Sequence, residues 1–421
     1  MASGTTPLNA RDPHAPLGTS RALLLVFAPF ACGFFLSDFL RVVNALIAPR
    51  LVHELGLSAA DLGFLTSAFF LTFAAAQLPL GLLLDRFDAR RVQAALFFVA
   101  AIGCFLFHVG ESATTLTLGR ALMGLGMSGG LMSSFKAITL WFPPARWPLL
   151  NGCTLAIGGL GAMAATAPLE ALFEIVHWRE VFLGAGVAVL FVALAIFFVV
   201  PERRGHAKPT PFALQLAGLA TVFRDREFWR VSPIVASALG SYMAILSLWA
   251  GPWLKDVAAL ERPDVAFYLL IGTASMAAGY ASIGTLVTLL ERRGQRLDRI
   301  MIVGAMLFMF VEAAIAFELD PTGLWIWAAF GVTGSMMTLA YVHLSRAFPL
   351  DLAGRVNTSL NVLVFTGAFA IQYGIGEIID LWPSGPGGRY PAEAYRTGFG
   401  VFLALQAACL VWFFVPVRHP R

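Results

Sequence analysis

Apolar runs recur along the whole chain, at about 22–47, 62–84, 91–110, 114–136, 148–173, 180–200, 231–254, 264–290, 299–317, 323–345, 355–381 and 396–415. They lack the one-sided 3.6-residue pattern of a helix lying half in water, and runs of about 20 apolar residues are what a bilayer-crossing helix needs. Strands of an outer-membrane barrel would be about ten residues long with alternating polarity. Within hydrocarbon a helix satisfies its own backbone. The pattern therefore predicts an all-α membrane protein with twelve transmembrane helices. Length agrees, because at roughly 35 residues per helix and loop the chain has room for about twelve crossings.

Composition excludes a soluble fold. Of 421 residues, 58% are hydrophobic and 13% charged, with a mean hydropathy of +0.76, whereas a soluble chain is about a quarter charged. A net charge of +4 would suggest nucleic acid in a soluble protein. Here no nucleic-acid partner is expected, and the basic residues are read as membrane anchors. Cys32, Cys104, Cys153 and Cys409 lie in apolar stretches without metal-type spacing and read as buried free thiols. The first run, about 26 residues with Asp38 and Arg41 inside it, exceeds the 7–15 residues of a signal h-region and reads as a retained span.

Basic residues orient the bundle. With a cytoplasmic N-terminus, 21 of the 29 fall on the inner side, among them Arg11, Arg21, Arg86, Arg90, Arg91, Lys136, Arg146, Arg203, Arg204, Lys208 and Arg418. The positive-inside rule then puts both termini in the cytoplasm, in keeping with a bacterial inner membrane. The domains read as a tail at 1–21, a six-helix half at 22–200, a linker at 201–230, a second half at 231–415 and a tail at 416–421. The linker carries Pro201, Pro209 and Pro211 and then an amphipathic stretch suited to the membrane surface. The halves resemble each other. A shift of 203 residues pairs Pro49 with Pro252, Asp61 with Asp264, Gly81 with Gly284 and Arg90 with Arg293, and a shift of 206 pairs Phe142-Pro143 with Phe348-Pro349. Internal repeats of this kind build many secondary transporters, with the site between the halves.

Gly81-Leu-Leu-Leu-Asp85-Arg86-Phe-Asp-Ala-Arg90-Arg91 follows the second run. It resembles the cytoplasmic loop signature G-x-L-x-D-R-x-G-x-R-R of the major facilitator superfamily, whose fold of two pseudo-symmetric six-helix halves would cover nearly the whole chain. Gly81 would allow close helix approach, and Asp85 with Arg86, Arg90 and Arg91 would form a cytoplasmic gate. Asp88 stands where the family usually has Gly, in a turn that Asp can enter left-handed. Thr288 replaces the acidic residue in the second half, which suggests a weaker gate there. Arg41-Val-Val-Asn44, Gln77-Leu-Pro79, Arg120-x3-Gly124-x-Gly126, Trp141-Phe-Pro-Pro144 and Trp178-Arg179-x-x-Phe182 resemble the organic anion:cation symporters of that superfamily. The resemblance implies that Arg41 and Arg120 face the cavity and bind an anionic substrate. The acidic residue these symporters often carry after the fourth-span glycines is replaced here by Ser128-Gly129-Gly130, which leaves Asp38 as the proton-coupling candidate.

Insertion scales put the cost of a charge within a membrane at about 2.5–3.5 kcal/mol, so Asp38, Arg41 and Arg120 should face protein or water. Asp38 and Arg41 are three apart and share a helical face. They could form a structural pair, or Asp38 could pair with Arg120. Tyr242 and Trp249, near the breaker Gly251-Pro252, and Gln372, with Tyr373 beside it, are further substrate-binding candidates. Glu312 reads as snorkelling or as a helix-packing bond; Glu170, Glu174, Glu377 and Asp380 read as solvated at the outer interface, and His343 as packing. Met123 with Met127, or Met336 with Met337, could be a soft copper site, although methionine stripes more often pack. The Gly124–Gly130 and Gly158–Gly161 clusters suit close packing of the fourth and fifth spans, and no G-x-x-x-x-G-K-[ST] nucleotide loop exists. No catalytic constellation, metal site or cofactor is expected, which sets aside a membrane enzyme. The expectation is a monomeric secondary transporter taking up a small organic anion with a proton. The alternatives are a proton-antiport exporter of drugs or metabolites, or a copper importer of the same fold.

Overall fold

The computed structural model describes residues 18–202, 212–349, 352–385 and 388–415, with only the backbone described for Asp85 and for 212–216. The tails at 1–17 and 416–421, and the basic Arg203, Arg204 and Lys208, lie outside the described residues.

The first half contains α1 (Thr19–Val42), α2 (Asn44–Leu55), α3 (Ala59–Arg86), α4 (Ala89–Val109), α5 (Ala113–Met127), α6 (Gly130–Trp141), α7 (Trp147–Ala164), α8 (Ala167–Leu172) and α9 (Trp178–Val199). After α10 (Phe212–Arg224) come α11 (Arg226–Asp256), α12 (Arg262–Arg292), α13 (Leu297–Ala316), α14 (Leu324–Ala347), α15 (Ala353–Ile379) and α16 (Ala392–Phe414). Ten of these helices are long and apolar enough to cross a membrane, against twelve expected. The fourth run breaks at Ser128-Gly129 into pieces of 15 and 12 residues, and the fifth, α7, is diluted by its glycines and Asn151. The first run carries on past 47 through α2 to Leu55.

Helix starts follow local chemistry. The Ser58 hydroxyl accepts from the Asp61 N–H at 3.1 Å while the Asp61 carboxylate accepts from the Ser58 N–H at 3.2 Å, a capping box that opens α3. Asp88 caps α4 by accepting from the Arg90 N–H at 3.0 Å. Its backbone is extended, at φ −62° and ψ 135°, so the left-handed turn expected there does not form. In α11 the break expected at Gly251-Pro252 is absent; a π-type turn over Ile245–Trp249 takes up the distortion.

Glycines set the tight crossings. A Cβ on Gly124 would collide with the Phe69 carbonyl of α3, and one on Gly161 with the Phe35 carbonyl of α1. Gly124 thus packs the fourth run on the second, Gly126, against Leu96 and Ala100, packs it on the third, and Gly161 packs the fifth run on the first. Between the halves, α3 lies along α15 and α7 along α12, while α2 meets α11 near its π-type turn. Gly81 does not make the close approach expected of it. With Gly152, Gly284 and Gly354, at the same end of the bundle, it faces open space. No neighbouring helix closes on these glycines at the loop-motif end, although one turn in from Gly81 the Asn361 Nδ2 of α15 still donates to Gln77 Oε1 of α3 at 3.4 Å. At the opposite, far end the halves touch, with Gly251 against the Ala45 carbonyl and Gly376 against that of Ala59.

Candidate functional site

Asp38 and Arg41 project from the last turns of α1 and pair with each other, Arg41 Nη2 lying 2.8 Å from Asp38 Oδ1. Asp38 is buried and backs onto Gly158 of α7, whereas the Arg41 side chain keeps 20% of its surface. Both charges bear electrostatically on the hydroxyls of Tyr242 in α11 and Tyr280 in α12. A residue from each half thus reaches this region.

Arg120 is separate from that pair. It is 1% exposed, donates from Nη1 to the Leu40 carbonyl at 2.8 Å, and stands 4.9 Å over the Phe69 ring. With the Asn44 amide turned to satisfy both of its ends, the Asn44 oxygen accepts from Arg120 Nε at 3.2 Å and Nη2 at 2.8 Å. The Asp38–Arg120 pairing is thereby corrected: Asp38 takes Arg41, and Arg120 is held by neutral oxygens. Its Nη1 also lies 3.8 Å from the Met123 sulfur, so that thioether already faces a cation and is a poor copper ligand.

Gln372 joins the halves. Its Nε2 donates to Thr66 Oγ1 of α3 at 2.7 Å, its Oε1 accepts from Ser247 of α11 at 3.0 Å, and its carbonyl accepts from Trp249 Nε1 at 2.9 Å. All four residues are buried, forming a plug between the centre and the far end. Beyond it a cavity of about 320 Å³ lies between the halves, lined by His53, Trp249, Lys255, Asp256, Tyr390 and Tyr395 among others. Glu170, expected to be solvated, has only 15% of its side chain exposed and lies 3.4 Å from Arg50 and 3.7 Å from Arg262 across the halves. Asp380 accepts from the Tyr390 hydroxyl at 2.9 Å, and that oxygen in turn takes the Ala59 N–H at 3.2 Å. Trp249 and Gln372 thus tie α11, α15 and α3 together, with Trp249 also lining the cavity. Tyr242 is packed against Phe308 and Phe330, its hydroxyl without a hydrogen-bond partner among the described residues.

Residues 30–372 match the family model described as Major Facilitator Superfamily. The chain belongs to the major facilitator superfamily. Its family and fold are those of membrane transporters rather than enzymes, and it is a multi-pass membrane protein. A "Probable sulfoacetate transporter" of Cupriavidus necator is 25% identical over 79% of this chain and 81% of that protein. A "Probable L-galactonate transporter" of Escherichia coli is 27% identical over 49% of this chain and 48% of the other. An "Efflux pump" of Aspergillus niger is 30% identical over 43% of this chain and 32% of its own length. Among solved structures, a bacterial homolog of the human lysosomal transporter Spinster, inward-facing and unoccupied, superposes with a TM-score of 0.76 at 18% identity, covering 94% of this chain and 97% of that one.

In this superfamily member the described contacts of the loop motif run to the end of α9 and the start of the linker. Arg90 donates to the Val200 carbonyl at 3.0 Å and lies 3.7 Å from Glu202, while Arg91 lies 3.0 Å from Glu202 and Arg86 is exposed. The Asp85 side chain lies outside the described residues. The basic residues thus hold the end of α9 and the start of the linker. Thr288 turns back to its own helix, donating to the Gly284 carbonyl at 2.9 Å. His343 contacts Glu227 at 2.8 Å, and Glu227 also holds Arg230 at 2.6 Å, so the histidine is more than packing. Cys32 is exposed rather than buried, Cys104 is buried, and all four cysteines are free.

Three site residues carry little signal in the sequence: Asn44 lies inside an arginine motif, and Thr66 and Ser247 are small hydroxyl residues in apolar runs. Their one signal is that a hydroxyl within a span must find a partner. Glu312 does not snorkel. It is 0% exposed and bonded to Gln406 of α16 at 2.6 Å, the helix-packing alternative.

Proposed function

We propose that this transporter takes up a small organic anion together with a proton by alternating access, its halves rocking about the region of Arg41 and Arg120. The observation that carries this reading is Arg120, a buried guanidinium whose partners here are the neutral Leu40 carbonyl, Asn44 amide and Met123 thioether. Asp38 offsets Arg41, which leaves one positive charge uncompensated in apolar surroundings. A cation in that position is stabilised by an anionic ligand. In this reading the loop-motif end, where Gly81 and Gly284 face open space, is the access route, and the Gln372 plug shuts the other. Names of relatives that include sulfoacetate and L-galactonate transporters support the anion class. Asp38, a buried carboxylate beside Arg41, is the proton-coupling residue in this reading. The protein works as a monomer in the bacterial inner membrane with both termini cytoplasmic.

The test is reconstitution into proteoliposomes under an imposed pH gradient, with sulfoacetate, L-galactonate and an organic amine as probes. Anion accumulation toward the alkaline side is expected, with no accumulation of the amine. Arg41→Gln and Arg120→Gln should each abolish it while the purified proteins stay monodisperse. Unchanged transport in both variants overturns the anion claim. Accumulation on the acidic side instead, by exchange for protons, assigns the exporter role that the efflux-pump relative favours.

A further inference from the structure

We propose that Glu312 is a second proton-binding site of the transport cycle, in the half opposite Asp38, and that α11 responds to its protonation; this rests on the proton-coupled reading above. Glu312 lies in α13, and its Oε2 accepts from Gln406 Nε2 of α16 at 2.6 Å. The same Nε2 donates to Ser241 Oγ of α11 at 2.9 Å, and the Ser241 hydroxyl also bears on the carboxyl. All three side chains are 0% exposed. Three helices therefore meet at one acid.

Among the described residues no cation balances this acid. The groups that bear on it are Gln406 and Ser241, both neutral, and no charged or titratable group from α11, α12, α14 or α16, the helices packed on α13, does so among the described residues. An ionised carboxylate so placed would keep its full desolvation cost, several kcal/mol, with only an amide and a hydroxyl to offset it. Hydrogen-bond accounting points the same way. Glu312 Oε1 and Gln406 Oε1 are buried acceptors that lack a donor among the described residues. A proton on the carboxyl gives this cluster the donor it lacks.

α11 connects the acid to transport. One residue after Ser241 comes Tyr242, on whose hydroxyl the charges of Asp38 and Arg41 bear. The π-type turn begins at Ile245, and Ser247 and Trp249 within it hold the Gln372 plug. Loss of the proton leaves a carboxylate that draws the Gln406 amide and the Ser241 hydroxyl toward itself, which shifts α11 against both the central charges and the plug. The proton comes from water and returns to water when α11 moves off α13 and opens the cluster.

Infrared difference spectroscopy on the purified full chain at neutral pH tests the protonation without any substrate. The C=O stretch of a protonated carboxyl is expected in the wild type, shifted by D2O, lost in Glu312→Gln and kept in Asp38→Asn. A wild-type spectrum from which Glu312→Gln removes no such band overturns the proposal. In proteoliposomes with sulfoacetate as probe, Glu312→Gln should reduce gradient-driven accumulation to the level seen without a gradient while sparing exchange at equal pH. Accumulation equal to wild type also overturns it. Gln406→Met withdraws the amide that steadies the charged form, so the pH midpoint of uptake should move to higher pH; an unmoved midpoint counts against the proposal even if Glu312→Gln does not fold. If the wild type moves no anion at all, the anion reading fails, and the infrared result still decides whether Glu312 holds a proton.

Discussion

Replacing Gln372 by Leu removes one hydrogen bond between the halves while nearly preserving volume. The Nε2 contact to Thr66 Oγ1, at 2.7 Å between buried groups, crosses from α15 to α3 on the far-end side, while a longer contact of 3.4 Å from Asn361 to Gln77 joins the same helices nearer the loop motif. Thr66 is not orphaned by the change, because its hydroxyl also donates to the Leu62 carbonyl at 2.7 Å. The Ser247 hydroxyl does lose its acceptor, but Trp249 keeps its bond to the Gln372 backbone. Hydrogen bonds between membrane helices average about 0.6 kcal/mol and reach about 1.7. A loss of about 1 kcal/mol from the far-end-closed arrangement is therefore expected, or about fivefold in the ratio of closed to open molecules. Labels at exposed Glu111 in the first half and Glu261 in the second, on a cysteine-free background, report the far-end separation by electron–electron distance measurement. The long-distance population should rise about fivefold while it remains the minority. Thr66→Val should act in the same direction, and the double variant should add little, since both remove one bond. An unchanged distance distribution, or full additivity of the two variants, would refute the idea that this bond holds the far end shut.

Gly161→Leu should lower thermal stability in detergent by the equivalent of about 1–3 kcal/mol, because its side chain would enter the space of the Phe35 carbonyl where α7 crosses α1. Gly184→Leu, at a glycine that faces open space on α9, is the control, and equal melting of the two variants would contradict that crossing. Glu54 gives the pH dependence: burial alone would raise its pKa, but bonds from Arg179 at 2.6 Å and Trp178 at 2.9 Å outweigh this and hold it below the ordinary 4.5. A carboxylate with a lowered folded-state pKa adds stability above the unfolded value and loses it as pH falls through the folded one. Melting temperature should accordingly fall on acidification below about pH 4.5 in the wild type, and less steeply in Glu54→Gln.

What could be read from the sequence was local. Span positions follow from uninterrupted apolar runs, because a bilayer imposes a length that any 20-residue window reveals. The Asp38–Arg41 pair follows from a three-residue spacing on one helical face. The loop motif and the arginines were visible as charges where charges are rare. What the loop motif touches was not visible: Arg90 and Arg91 reach Glu202, more than a hundred residues away.

The same limit applies to the candidate site. Arg120 could be named from sequence, but its anchoring by Asn44 and Leu40 depends on how α5 crosses the junction of α1 and α2. Glu312 looked like an end-of-span residue free to reach an interface, and the packing of α11 and α16 on α13 sealed it instead. Gln372 was singled out as polar in mid-span, yet whether it met substrate or the other half depended on the register of α15 against α3. Helical periodicity tells each residue which way it faces along its own helix. It carries no signal for which helix arrives opposite, and in an apolar chain, where many faces are chemically alike, glycine crossings and a few buried hydrogen bonds make that choice only after the helices assemble.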